Sequence, residues 1–304
     1  MKKKKILITG SSGFIALNFL KACENKNFEI TCIDKVKPKI KFSKKIIFFK
    51  IDISKKNEFS VLKKKKFDFI LHCAAFSKPS KAEKFPKSAY ETNIIGTKNL
   101  LDFVHSFSKN AKVFFFSGGA LYDSKPKYLP IDEKHPIKPY QNTYCFTKRS
   151  GENICSDYIK YNKMRIIIFR LFNTYGPYQD SEFLIPSWIK KCKKKGKYLE
   201  ILNGSIIRDF NYVENLIELI FILMKKKNII GGPFNVGSGR PAKLINLANY
   251  IANYFDKKVR DLNSKNTFGS KKQVSSIKKI KKVSGWRPKI GIEEGLIRTI
   301  KFYN

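Results

Sequence analysis

Three histidines in 304 residues leave little from which to build a metal centre, and the six cysteines, at 23, 32, 73, 145, 155 and 192, include no CxxC pair. No zinc-ligand spacing follows, no metal is expected, and reduced thiols in a cytosol are the expectation. Acids are scarce too: 24 Asp and Glu face 62 Lys and Arg, a formal net charge of +38. A field of that sign attracts polyanions over a Debye length or more. The lysines, however, are scattered through the whole sequence beside abundant Ile, Asn and Phe, whereas a nucleic-acid footprint clusters on one face or tail. No specific nucleic-acid partner is expected, and the runs Lys63 to Lys66 and Lys193 to Lys195 read as solvated ends of helices and loops. No stretch approaches the roughly 20 apolar residues of a membrane span. The basic lead of MKKKKILITGSSG is followed by only three apolar residues, too few for a signal peptide. These absences predict a cytoplasmic protein without membrane contact.

What is present is enough apolar content, 42%, to bury a full core in one large or two interlocked domains. Short β-branched and aromatic runs at Ile6–Thr9, Glu29–Ile33, Ile46–Ile51, Phe67–His72, Lys112–Ser117 and Arg165–Arg170 are apolar without alternation. That pattern suits strands buried on both faces of a parallel sheet. Helical patterns at Phe14–Cys23, Tyr90–Phe107 and Tyr144–Tyr161 lie between them, as crossovers require. The predicted fold is α/β, a doubly wound parallel sheet over residues 1–172, followed by a smaller substrate domain over 173–304 from which some segments return to the sheet. Two more helices are expected near Asn215–Lys226 and at Leu244–Phe255. The stripe Leu244, Leu247, Ala248, Ile251, Phe255 reads as core.

The first strand runs into ILITGSSGFIA. Gly10 permits a tight turn there, Gly13 lets backbone approach a pyrophosphate, and Ala16 still allows close helix packing; the helix begins near Phe14 and Ile15, whose end offers N–H groups and a favourable dipole. A glycine pair alone is weak, since many β-to-α turns use one. Asp34 closes the second strand 24 residues beyond Gly10, placed to accept hydrogen bonds from ribose hydroxyls and to repel a 2′-phosphate. NAD is therefore favoured, while Lys35 beside it leaves NADP open.

Taken together, the pieces TGSSGFIA, Asp52–Ile53, HCAAFS at His72–Ser77, ETNIIGT at Glu91–Thr97, YCFTK at Tyr144–Lys148, RLFNTYGP at Arg170–Pro177, RDFNYVEN at Arg208–Asn215, FNVGSG at Phe234–Gly239 and GWRP at Gly285–Pro288 resemble the extended short-chain dehydrogenase/reductase family of nucleotide-sugar enzymes. The resemblance covers nearly the whole chain, and it rests on the order and spacing of the pieces. It implies that Asp52 and Ile53 lie at the adenine, Ala74 and Ala75 along the cofactor, and Asn93 near the active-site end of its helix. It also implies a homodimer.

Tyr144 and Lys148 are four residues apart, so on a helix they share a face. A lysine cation and a nicotinamide cation nearby would lower the phenol from about 10 toward neutrality and make Tyr144 a general base. Tyr254 and Lys258 also read YxxxK; that match is taken as chance. Most family members carry a Ser or Thr four residues before the tyrosine of a VYG turn, and some sugar-epimerase-like members instead resemble the present arrangement, a Ser followed by two glycines. Here that position, counted from Tyr122, is Gly118, and the hydroxyl sits one residue earlier, at Ser117. Ser117 is assigned as hydrogen-bond partner of the reacting sugar oxygen; the alternative is a serine that only ties off its strand. Asp123 stands where glycine is usual. Gly119 and Ala120 stand where the family's dehydratases carry acids, which disfavours a 4,6-dehydratase.

By the same resemblance Asn173 holds the diphosphate of the substrate, and Arg208 pairs with phosphate through its planar fork. The alternative for Arg208 is a structural pair with Asp209. Ser276 stands where the family has an acid that helps hold the nucleoside. The expected function is an NAD-dependent nucleotide-sugar epimerase acting at C4 through a transient 4-keto sugar. Two rivals remain open: an NAD(P)H-dependent reductase of a 4-keto-6-deoxy nucleotide sugar, and a nucleic-acid-binding protein on a retired enzyme fold.

Overall fold

The computed structural model describes residues 3–38, 46–138, 142–262 and 270–304. Its chain forms two units: Met1–Leu121, Lys138–Arg170 and Ile220–Phe234 make the first, and Tyr122–Ile137, Leu171–Leu219 and Asn235–Asn304 the second. In the first, the strands are β1 (Lys4–Thr9), β2 (Phe28–Asp34), β3 (Ile46–Lys50), β4 (Phe69–His72), β5 (Lys112–Gly118) and β6 (Arg165–Leu171). A later segment, Gly231–Val236, joins the edge beyond β6, and the sheet order from that edge is β6, β5, β4, β1, β2, β3. β1 pairs in parallel with both β2 and β4, so the chain order reverses between β1 and β4. In open α/β sheets that reversal opens the crevice in which ligands bind. The doubly wound fold is the one that the unalternating apolar runs predict, since a strand covered by helices on both faces has no solvated side to mark with polar residues.

β5 shows how the pleat sorts its residues. Phe114 and Phe116 turn to one face, against Phe169, with ring centroids 6.2 and 5.8 Å away. Phe115 turns to the other face and meets helix Thr143–Asn162 so closely that a Cβ on Gly151 would lie 2.7 Å from its ring. Val113 and Phe115 share a buried cluster with Leu100, Val104 and Cys155. The Lys63 and Lys193 runs follow the helical segments Lys56–Leu62 and Leu184–Cys192, with most of their lysines exposed.

One predicted helix differs. The stretch from Tyr90 to Phe107 is not continuous: Pro86–Tyr90 leads into a π turn at Glu91–Ile95, and the α-helix resumes as Gly96–Phe107. The wide turn aims Asn93 inward, and Gly96 then passes so near Ile53 that a Cβ on it would lie 2.6 Å from the Ile53 side chain. Such π turns leave no periodicity signal that a sequence reading can catch.

In the second unit, helices Leu184–Cys192, Leu244–Tyr254 and Ile292–Tyr303 surround a core that includes Trp188, Ile189, Leu247, Ile251, Leu296 and Ile300. The Leu244 stripe is core, as its spacing predicts. Among the described residues no helix is long and apolar enough to cross a membrane.

Charge is also buried in the first unit. Arg170 donates to both oxygens of Glu152, Nε to Oε1 at 2.9 Å and NH2 to Oε2 at 2.7 Å, and each side chain is 2% exposed. Removing Arg170 leaves the buried Glu152 carboxylate in a low dielectric, facing the more exposed Arg149 at 2.9 Å. Arg170→Met should therefore lower unfolding free energy by about 3–5 kcal/mol, and a Glu152→Leu/Arg170→Met double variant should recover much of that loss in denaturant titrations.

Candidate active site

The switch point between β1 and β4 shapes the first half of the site. Gly10 follows β1 with φ +64°, and a Cβ there would lie 2.5 Å from the Ala74 backbone. Only glycine combines that angle with that approach. Gly13 is the N-cap of helix Phe14–Ala22, which has no side-chain cap and no acid in its first turn, so Phe14 and Ile15 begin an uncapped end suited to a pyrophosphate. Asp34, at the tip of β2, accepts the Ser12 N–H at 2.9 Å and the Val36 N–H at 3.2 Å, one on each carboxylate oxygen. These bonds orient the carboxylate and leave lone pairs for ribose hydroxyls. Lys35 pairs with Asp52 at 2.9 Å. Burial opposes ionisation of Asp52, but bonds from Lys35 and Ser54 outweigh it and hold the carboxyl below its ordinary range. Ile53 is buried against Gly96, and its carbonyl accepts from Asn99 at 3.1 Å. Ala74 follows β4 and donates its N–H to the Thr9 hydroxyl at 3.1 Å, with Ala75 next in the chain. The cradle at Gly10 and Gly13, the open helix end and the oriented Asp34 fit a dinucleotide.

Asn93 clamps the same edge. Its side chain accepts the Phe76 N–H at 2.8 Å and donates to the Phe76 carbonyl at 3.2 Å and to the Thr147 hydroxyl at 2.9 Å. Thr147 lies between Tyr144 and Lys148 on helix Thr143–Asn162, whose N-cap Asn142 accepts the Cys145 N–H at 2.8 Å. The preceding Pro139, Tyr140 and Gln141 of the PYQNTYCFTK stretch lie outside the described residues.

Tyr144 and Lys148 share this one helix. The second YxxxK match does not: Tyr254 ends helix Leu244–Tyr254, and Lys258 starts a separate strand. Lys148 is buried, with its ammonium 4.7 Å above the Phe115 ring. Burial pushes the lysine down from the usual 10.5 to about 8. The expected lowering of the Tyr144 phenol is not met by the protein alone: burial, and secondarily Cys145, push it up.

Ser117 is 4% exposed. The β5 pleat puts it on the Phe115 side, toward helix Thr143–Asn162, where its hydroxyl lies near enough to Glu152 to help hold that carboxylate ionised. It nevertheless meets no partner in regular hydrogen-bonding geometry. Gly118, the usual position of the family hydroxyl, is the next residue of the pleat.

In the second unit Asn173 donates to the Asp209 carbonyl at 3.1 Å. Arg208 is half-buried and donates to the Ile207 carbonyl at 2.9 Å. Burial pushes its guanidinium below its ordinary value. The alternative pair with Asp209 does not form, because that carboxylate is taken: it accepts N–H groups from Ser238, Gly239 and Ser275 at 2.7, 3.1 and 3.1 Å, and both serine hydroxyls. Arg208 is thus a partly desolvated cation with no carboxylate partner among the described residues, an arrangement that suits phosphate. Ser276 is buried and donates its N–H to the Ile131 carbonyl at 2.7 Å. Among the described residues no three His, Cys, Asp or Glu side chains gather as a metal site.

The family profile for the NAD dependent epimerase/dehydratase family matches residues 6–237. The chain belongs to that family. A Methanocaldococcus jannaschii protein, named only provisionally as a UDP-glucose 4-epimerase, is 28% identical over 98% of this chain and 97% of its own. The crystal structure of a dTDP-glucose 4,6-dehydratase from Bacillus anthracis in complex with NAD superposes with TM-score 0.85 at 25% identity, covering 99% of this chain and 96% of that one. The fold alone is shared with the UDP-glucose 4-epimerase of Thermotoga maritima, at TM-score 0.88 and 23% identity over 98% of both chains. As in the family, the cofactor is NAD.

Sequence patterns do not disclose the Asp209 hub or the buried Glu152–Arg170 pair. The latter joins residues 18 apart, one on helix Thr143–Asn162 and one on β6.

Two outcomes follow from the geometry. Asp34→Ala should weaken NAD binding by about 1–3 kcal/mol, the worth of a lost charged hydrogen bond, and weaken NADP binding much less; calorimetry with both dinucleotides checks this. The second concerns Lys148. Its folded-state pKa, about 8, lies below the usual 10.5, so between those values the unfolded chain binds the extra proton and stability rises with pH. Lys148→Met lacks this rise. The stability of the variant relative to the parent should be highest below pH 8 and fall by about 3 kcal/mol as pH passes 10.5.

Proposed function

We propose that the protein is a nucleotide-sugar 4-epimerase. The observation that carries this reading is the grouping of Tyr144 and Lys148 on one helix face with the buried Ser117 hydroxyl turned toward the same helix. Tyr144 takes the proton of the sugar 4-hydroxyl, and Ser117 donates to the oxygen on which charge develops. Lys148 holds the cofactor ribose and, as a cation, favours the phenolate. Burial raises Tyr144 in the protein alone, so the base depends on positive charge arriving with its ligands. NAD, when bound, would supply reversible hydride transfer at C4, which inverts that carbon once the 4-keto sugar presents its opposite face. Asn173 and Arg208 hold the diphosphate, and Asp34, Asp52, Ile53, Ala74, Ala75 and Asn93 line the dinucleotide. Gly119 and Ala120 place no acid to expel a C6 hydroxyl, which supports an epimerase over a dehydratase. The naming of the Methanocaldococcus relative supports the same reaction.

We also propose a homodimer. Tyr90, Ile95 and Phe146 are exposed apolar side chains of the first unit, with the Tyr90 ring edge-on to Phe146 at 5.8 Å.

Turnover without net coenzyme consumption is the test. Incubated with UDP-hexoses, the purified protein should interconvert the C4 epimers with no added reductant. Consumption of NAD(P)H on a 4-keto-6-deoxy sugar, without epimerisation, would establish the reductase instead. Tyr144→Phe should abolish turnover and keep the fold, whereas Tyr254→Phe should be active. Ser117→Ala should lower kcat by roughly 10²–10³-fold with little change in Tm. Near-normal kcat with about 1 kcal/mol lost stability would make Ser117 a structural serine.

A further inference from the structure

His72 ends β4 in the interior, 3% exposed, and both of its ring nitrogens are engaged: Nδ1 with the Thr9 hydroxyl at 2.8 Å and Nε2 with the Thr97 hydroxyl at 2.9 Å. The direction of each bond follows from the neighbours. Thr97 gives its proton to the Asn93 carbonyl at 2.7 Å, so it accepts from the imidazole, and Nε2 carries the hydrogen. Nδ1 then accepts from Thr9, whose oxygen in turn accepts the Ala74 N–H at 3.1 Å. From Asn93 the chain continues through its side chain to Phe76 and to Thr147, whose hydroxyl donates to the Tyr144 carbonyl at 3.0 Å.

Hydrogen bonds that are mostly buried, joined through the covalent frame of Asn93, thus link Thr9, the residue before Gly10, to the first turn of helix Thr143–Asn162. We infer that His72 and Thr97 are positioning residues, which lock the dinucleotide loop and the Tyr144/Lys148 helix into one register through a single imidazole tautomer. The packing agrees. The His72 ring lies 5.8 Å from the Phe115 ring, which has Lys148 above it. Burial, and then the Lys148 charge, hold the imidazole neutral, at about 3, so His72 bridges the two halves without placing a second cation beside the lysine. A polar chain of this kind is stable only when every member is satisfied, and each hydroxyl in it has a donor and an acceptor.

The inference rests on the proposed roles of Tyr144 and Lys148 only for its turnover arm. Thr97→Val keeps the shape and removes the bridge; Thr97→Ser keeps the bridge. Thr299→Val, which deletes a buried hydroxyl bonded to the Gly295 carbonyl in the second unit, controls for stability loss alone. Thr97→Val should weaken NAD binding about tenfold and lower kcat by a similar factor, as expected for a coupled network. Thr97→Ser should restore both, and Thr299→Val should change neither. Nitrogen-15 NMR of histidine-labelled wild-type protein should show His72 as the Nε2–H tautomer from pH 5 to 8, and as a tautomer mixture in Thr97→Val. An Nδ1–H tautomer in the wild type, or a Thr97→Val variant that loses stability while binding NAD as tightly as the parent, would overturn the inference. If Tyr144→Phe proved active, the base assignment would fall, and NAD affinity and the tautomer would still decide the role of His72.

Discussion

The structure depends on one close approach of two backbones. Where the sheet reverses order between β1 and β4, Gly10 passes Ala74 with no room for a side chain. That contact lets the turn into helix Phe14–Ala22 lie flat over the sheet edge and leaves its N-terminal dipole open to a phosphate. Asp34 arrives at the same edge because β2 is the neighbour of β1 on the other side. Parallel pairing brings all these strand ends to the same side of the sheet, so residues far apart in sequence meet there without any local signal.

The interior is ordered by polar groups that answer one another. A net charge of +38 resides mostly on exposed lysines, where solvent screens it. Among the described residues the buried acidic and basic side chains are few and have defined surroundings: Glu152 with Arg170, Lys148 over an aromatic ring, Lys112 on the Leu223 carbonyl, and Asp209 among backbone amides and serine hydroxyls. Asp209 also explains why Arg208 has no acid to pair with among the described residues. A carboxylate already satisfied by five donors gains nothing by turning to its neighbour, and the guanidinium beside it donates to the Ile207 carbonyl instead.

Ser117 and Gly118 illustrate what a displacement of one residue does along a strand. Alternation along β5 places consecutive side chains on opposite faces, so the hydroxyl at 117 turns toward helix Thr143–Asn162 together with Phe115. Sequence comparison alone sees only a hydroxyl displaced from its usual place. The pleat supplies the direction.

Much was legible in the sequence because it is written in local patterns. Apolar runs without alternation specify doubly covered strands, and the 3.6-residue stripe at Leu244 specifies a core face. The glycine spacing after β1 with Asp34 at the end of β2 specifies a dinucleotide turn, and YxxxK at 144 and 148 specifies a pair on a helix face. The tertiary structure decided the rest, because it turns on distances between segments: the π turn at Asn93, the neutral His72 bridge, the Asp209 hub, and the burial that raises Tyr144 in the protein alone. A sequence sets which residues share a face of one element. Burial, and the partner a buried polar group finds, depend on what packs against that face, and only the assembled fold determines that.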